Sequence, residues 1–268
     1  MGKALLACAV LAGITLFTGC RNRAQDNMTI RHGVLRIGMD MTYPPFESLN
    51  AGSGIPVGFD VEMSRAISQK LGLEVQITKV AWMSLFENIK ERKIDAAVSA
   101  ISITDARLAA YSFSRPYLVN QIVIVTNKES GLDMQSPTDV AGLKVGFQAS
   151  TTADTFMEDL RNRERLQFTV RRYNSVMPAF EDLRNGNLDA VAVDLCVAGA
   201  YLNEENSPFL LAWTSNEIEF LGIAMRRGND ALTQAVDDAL QQLFDDGTLK
   251  KLSARFLGSD MVSPAFAR

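Results

Sequence analysis

One stretch of this chain is written twice. Residues 86–100, FENIKERKIDAAVSA, return as FEDLRNGNLDAVAVD at 180–194, in a gap-free register that carries Phe86 onto Phe180, Ile89 onto Leu183, Asp95 onto Asp189 and Ala96 onto Ala190. Each copy reads as a short amphipathic helix, a polar turn and a buried strand. Corners of this kind containing Asp are generic in α/β proteins, which accounts for the composition of the two segments. It does not account for their long shared register, which points to two similar α/β units in one chain. The copies part at the last residue, Ala100 in the first and Asp194 in the second.

The rest of the chain fits around this repeat. VLRIGM (34–39) is strand-like and is followed by a Pro-containing loop, DMTYPPFES. GFDVEMSRAISQKLG then reads as a helix, with Asp60 placed to cap it, Phe59, Met63, Ile67 and Leu71 on one face, and Gly72 to end it. LEVQIT is a strand, 84–92 a helix and IDAAVSA (94–100) a strand. GLKVGFQ and LQFTVRRY are strands separated by a helix over about 152–163. Two long extended runs, YLVNQIVIVT (117–126) and EIEFLGIAMRR (217–227), join the units, and the chain closes in helices punctuated by Gly247. Strand and helix alternate almost throughout, which predicts an α/β fold with mainly parallel sheets. The expected division is one lobe from 32–121 with 219–268 and a second from 122–218. Two lobes joined by two crossings make a hinged clamp with a cleft between them.

Composition narrows the partners. A pI of about 5.2 speaks against nucleic acid, because phosphate backbones call for clustered Lys and Arg. The basic runs at 161–165 and 171–172 read as solvated faces. The N-terminal MGKALLACAVLAGITLFTGC has one Lys, an apolar run and then small residues, the pattern of a secretory signal over 1–19. Its end resembles a bacterial lipoprotein lipobox, with Phe17 where Leu is usual, and that implies lipidation of Cys20. Ordinary cleavage to a freely soluble protein is the alternative. Residues 20–31 then read as a tether, and Cys196 is left as the one remaining cysteine, so no intramolecular disulfide is expected.

In open α/β sheets ligands bind beyond the carboxyl ends of strands. After the first corner come Ala100, Ser102, Thr104, Asp105 and Arg107; the second ends on Asp194. Arg107 is a donor fork suited to a carboxylate, though a surface salt bridge is the plainer reading. A carboxylate ending a buried run, as Asp194 does, needs a cation or several donors, although it could instead cap the helix that follows. An Arg and an Asp facing one cleft suit an α-amino acid. GFQASTTADTF puts small polar residues at a helix start, where free N–H groups favour a carboxylate. Tyr43 and Trp82 lie beside strand ends, where flat rings can clamp a side chain or simply line the core.

GVLRIGMDMTYPPFE, VGFDVEM, KIDAAVSAISITDAR, YSFSRPY and DGTLKKLSARFLG, in that order, resemble the signatures of family 3 extracellular solute-binding proteins, the polar amino-acid receptors of bacterial ABC importers. The resemblance spans 33–258. It implies a two-lobed clamp of the type II periplasmic binding-protein kind. Arg107 would hold the ligand α-carboxylate, helped by Ser102 and Thr152. Asp194 would take the α-ammonium with the Ala100 carbonyl. Tyr43 and Trp82 would sandwich the side chain, and Asp40 would reach its far end, with Gln148 and Met83 nearby. Ala100 stands where many members have Gly or Ser, and Ser150 where Gly usually precedes the Thr pair. Asp40 favours a side chain with N–H donors, so Arg, Lys, His or Gln, with a slight lean to a basic one. The implied partners are an importer permease and, through the lipid, the membrane; a monomer, no cofactor and no metal are expected.

Two other readings use the same scaffold. Cyclohexadienyl dehydratase, an offshoot of the family, needs a general acid in the cleft, and a Glu follows its Thr-pair position; here Ala153 and then Asp154 follow. His32, the only His, precedes the first strand, which argues against a Ser-His-Asp triad or a His metal site. A sensory ectodomain is the third reading. No apolar run of about 18 residues follows the last predicted helix, so such a receptor would signal through a partner.

Overall fold

The apolar alternation becomes two five-stranded sheets in the computed structural model, which describes residues 28–267. The expected leader, most of the tether and Cys20 lie outside those residues. In chain order the first elements are β1 (Val34–Met39), β2 (Thr42–Tyr43), β3 (Glu47–Leu49), β4 (Pro56–Val57), α1 (Phe59–Leu71), β5 (Glu74–Lys79), α2 (Leu85–Lys90), β6 (Ala96–Ala97), α3 (Asp105–Leu108), β7 (Tyr111–Phe113) and β8 (Leu118–Asn120). There follow β9 (Ile122–Asn127), β10 (Lys144–Gln148), α4 (Thr152–Glu164), β11 (Thr169–Tyr173), α5 (Val176–Arg184), β12 (Ala190–Asp194), α6 (Leu195–Leu202) and β13 (Phe209–Thr214). The chain returns through β14 (Glu219–Leu221) and β15 (Ala224–Arg226) to α7 (Asp230–Asp245), α8 (Thr248–Leu257) and α9 (Ser263–Phe266).

The sheets have the orders β5-β1-β6-β15-β7 and β11-β10-β12-β9-β13. In each, the first three strands are parallel and the fourth is antiparallel. That fourth strand arrives by a crossing: β15 follows β14, and β9 follows β8. β8 and β14 pair with each other as a separate antiparallel ribbon. The run 117–126, expected as one extended stretch, is therefore two strands that break at Gln121. α1 buries Phe59, Met63 and Ile67 and packs against α7 and α8, so the C-terminal helices rejoin the first sheet.

The repeat has a physical basis in the fold. In both corners the shared Asp ties the turn to the neighbouring strand. Asp95 N donates to Arg36 O at 2.8 Å, and Arg36 N donates to Asp95 Oδ2 at 2.8 Å. Asp189 N donates to Lys144 O at 2.9 Å, and Lys144 N donates to Asp189 Oδ2 at 2.7 Å. Both turns pass through a left-handed residue at the same position of the repeat, Arg92 (φ 59) and Gly186 (φ 73).

Two local expectations are corrected. The strand expected over 94–100 pairs only at Ala96–Ala97, because the chain bends away at Ala100, whose φ is 45. Asp60 does not cap its helix. Gly58 occupies the cap position, and Asp60, inside the first turn and fully buried, accepts from Ala100 N at 2.7 Å and Tyr117 Oη at 3.2 Å.

Gly58 makes this possible. Its φ is 137, and a Cβ there would lie 2.1 Å from the Phe46 carbonyl oxygen, so helix and hairpin meet backbone to backbone. Gly58→Ala is expected to lower the melting temperature by about 6 °C or more, since strain and steric clash act together. Thermal unfolding followed by circular dichroism measures it; an unchanged midpoint would contradict the close approach.

Candidate ligand-binding site

The strand ends of both sheets converge on one cavity. Its wall is built from Asp40, Tyr43, Trp82, Ala100, Ser102 and Arg107 on the first side and Gln148, Thr152 and Asp194 on the second. All nine residues singled out in the sequence are thus brought together. Ser99 and Thr151 also line it. Met83 does not; it is 61% exposed at the surface. Only about 10 Å³ is open to a water-sized body, so an amino acid could enter only after the two sides separate.

Asp194 ends β12 and is buried. It stands at the cap position of α6 without making a side-chain cap bond, which disposes of the capping alternative. Instead, Tyr43 Oη donates to its Oδ2 at 2.7 Å and Asn120 Nδ2 to its Oδ1 at 2.9 Å. Desolvation, and then the nearby Glu219 charge, push its carboxyl up to about 7 against the opposing pull of Tyr43, Asn120 and Arg107. The group is therefore poised to gain from a cation.

Arg107 lies in α3, capped by Thr104, and its Nη1 donates to Ser102 O at 2.8 Å. Its guanidinium sits 5.4 Å over the Trp82 ring and 5.3 Å over Phe86. Trp82 is thus a platform for the arginine as well as a wall of the cavity. Burial lowers the Arg107 pKa, and the carboxylates of Glu219 and then Asp194 oppose that.

At the far end, Asp40 Oδ2 accepts from Gln148 Nε2 at 3.0 Å and Thr42 Oγ1 at 2.9 Å. The Gln148 contact reaches across the cleft. Desolvation raises the Asp40 pKa, with these bonds opposing. Ser99 Oγ accepts from Asp40 N at 3.3 Å and donates to Glu47, a fully buried acid whose pKa burial pushes up strongly. Asp60, behind Ala100, is pushed up to about 7 by desolvation, against its bonds from Ala100 and Tyr117.

Ala100 and Ser150, the two places where the sequence departs from the pattern it resembles, both have left-handed backbones, φ 45 and φ 62. These are conformations that favour Gly. Ser150 N is held by Asp154 Oδ2 at 2.9 Å, and Thr151 caps α4 by accepting from Asp154 N, so the loop keeps its shape without glycine. Thr152 is the first residue of α4.

Sequence reasoning missed Asn120 and Glu219, whose side chains meet at 3.1 Å behind the cavity. Asn120 had a signal: it is one of the few polar residues in an apolar run. Glu219 had none, since an acid alternating with apolar residues reads as a solvent face. Among the described residues, no group of three or more His, Cys, Asp or Glu side chains could hold a metal ion.

The fold and cleft are those of the two-lobed type II periplasmic amino-acid-binding proteins. The chain belongs to the bacterial extracellular solute-binding proteins, family 3, which it matches over residues 35–259. It is 29% identical over 263 residues to the L-cystine-binding protein TcyJ of Escherichia coli (strain K12), covering 96% of this chain and 95% of that one. Among solved structures, an ancestral arginine-binding protein bound to arginine superposes with a TM-score of 0.78 at 30% identity, covering 84% of this chain and 98% of that one. The ancestral amino acid-binding protein AncCDT-1, a precursor of cyclohexadienyl dehydratase, gives 0.76 at 27% identity, covering 84% and 95%. Among the described residues no helix is long and apolar enough to cross a membrane.

Proposed function

We propose that this chain is the substrate-binding component of an amino-acid ABC importer, capturing a polar or basic L-amino acid in the cleft by hinge closure. The observation that carries the reading is the opposed pair in one cavity, Arg107 beside the first sheet and Asp194 at the end of the second. Arg107, with Ser102 and Thr152, takes the α-carboxylate; Asp194, with the Ala100 carbonyl, takes the α-ammonium. Tyr43 and Trp82 flank the side chain, and Asp40 and Gln148 meet its end. A second acid at Asp40 favours Arg, Lys, His or Gln, and a basic side chain first. Ligand docks on the lobe formed by 32–121 and 219–268, and the lobe 122–218 then closes on it because the ligand contacts both sides only in the closed state. In this reading the chain is an exported monomer, lipidated at Cys20 and delivering its ligand to a membrane permease.

The dehydratase alternative is weakened by the acid it would need. Asp154 is engaged by Arg172 Nε at 3.0 Å and by Ser150 N, and it does not line the cavity. A thermal-shift screen of the mature domain against the twenty amino acids and prephenate tests both readings. Stabilisation by at least one polar or basic amino acid is expected; stabilisation by none would sink the reading, and turnover of prephenate would replace it with the enzyme.

A further inference from the structure

Glu219 lies on β14, one strand of the crossing ribbon, directly opposite Asn120 of β8. A single oxygen of its carboxylate, Oε2, gathers three donors: Ser102 Oγ at 3.0 Å, Asn120 Nδ2 at 3.1 Å and Thr152 Oγ1 at 3.2 Å. Ser102 follows the corner of the first sheet and Thr152 opens α4 against the second, so this one oxygen ties both sides of the cleft to the crossing. The two hydroxyl oxygens are themselves 3.4 Å apart across the gap. Ser102 is held on the other side by a backbone bridge to Leu221, two residues along the same strand.

A hydroxyl has one hydrogen to give. While Ser102 and Thr152 spend theirs on Glu219, they turn lone pairs toward the cavity, and a carboxylate arriving there meets no donor from either. We propose that Glu219 is an internal competitor for the ligand carboxylate, a latch that holds the two sides together in the unliganded protein and gives up the Ser102 and Thr152 hydroxyls when the ligand binds. This rests on the amino-acid-binding reading above and adds to it the residue that sets affinity.

The surroundings of Glu219 suit a side chain that must move. It lines a second space of about 420 Å³ beside the cavity, whose wall also carries Arg163, Ser215 and Thr155. A displaced carboxylate can turn into that space, which has room for water around it; its wall carries the acids Asp159 and Glu217 as well as Arg163, whose Nε donates to Glu164 at 3.1 Å. Whatever stabilises the unliganded closed state without being kept in the complex subtracts from affinity by the same amount. Removing the acid therefore opens the unliganded protein and tightens the complex.

The test uses the mature protein and its Glu219→Ala and Glu219→Gln variants. Small-angle scattering without added ligand should show the Ala variant more extended than the parent. Calorimetry with L-arginine should show its Kd lowered about tenfold in Glu219→Ala. Agmatine, which keeps the guanidinium and the amine but lacks the carboxylate, should gain nothing from the substitution and should bind the Ala variant no more tightly than the parent. Glu219→Gln, which still accepts hydrogen bonds but carries no charge, should fall between the two. An unliganded Ala variant as compact as the parent, or weaker arginine binding by that variant, would overturn the latch. If the parent binds neither arginine nor any other amino acid, the functional reading fails, and the scattering comparison alone decides on Glu219.

Discussion

Arg107→Ala is expected to abolish measurable amino-acid binding, a loss of about 3 kcal/mol or some hundredfold in affinity at the least. Among the described residues the guanidinium is the one cation on the cavity wall, and a ligand carboxylate brought into so closed a space would be left without a charged partner. Its position over Trp82 and Phe86, with Nη1 committed to the Ser102 carbonyl, fixes one side of the fork and leaves the rest for a ligand. Arg107→Lys separates charge from geometry. It keeps a cation but loses the planar fork and the stacking, so it should recover only part of the affinity. Calorimetry on both variants, with melting curves to verify folding, makes the measurement; an alanine variant that binds amino acids like the parent would remove Arg107 from the site.

Asp194→Asn should cost a comparable factor, about a hundredfold, and in a pH-dependent way. The variant keeps the shape; its one amide oxygen can accept from Asn120 while its NH2 group donates to a rotated Tyr43 hydroxyl, so the loss would report chiefly charge. Desolvation and the Glu219 charge raise the carboxyl from 3.8 in the ordinary state to about 7 in the fold. An acid raised in this way contributes stability that is fully present below about pH 4 and is lost as pH rises through about 7. The Asn variant, which carries no charge to bury, should therefore melt above the parent at pH 8, and the gap should close toward pH 4. Ligand binding runs the other way. A ligand ammonium needs the ionised form, so affinity in the parent should fall by up to about tenfold per pH unit below 7, with proton release on binding near neutrality. Titrations in buffers of different ionisation heat detect that release. A parent whose affinity is flat from pH 5 to 8 would show that Asp194 does not meet the ammonium.

Much of this site is legible in the sequence because its residues sit at strand ends, and strand ends follow from local apolar pattern. Asp194 stands out as a charge ending a buried run, and Arg107 as a donor fork one turn beyond the other corner. Asp60 shows the limit. Its position before a helix predicts a cap, yet Gly58 takes that role and Asp60 turns inward to hold Ala100 N, forty residues away in the chain. Glu219 shows the same limit from the other side, since its alternation pattern belongs to an exposed strand and its three partners lie 67 to 117 residues away.

The sequence by itself determined the alternation of strands and helices, the doubled corner and the kinds of charge available to the cleft. These depend on periodicity and turn chemistry, which act over a few residues. Only the tertiary structure decided which polar groups satisfy one another: Asp194 with Tyr43 and Asn120, Gln148 with Asp40, and Glu219 with both hydroxyls. Buried polar groups must find partners wherever the packed strands bring donors within reach, and that pairing is set by the convergence of two sheets rather than by any local stretch of chain.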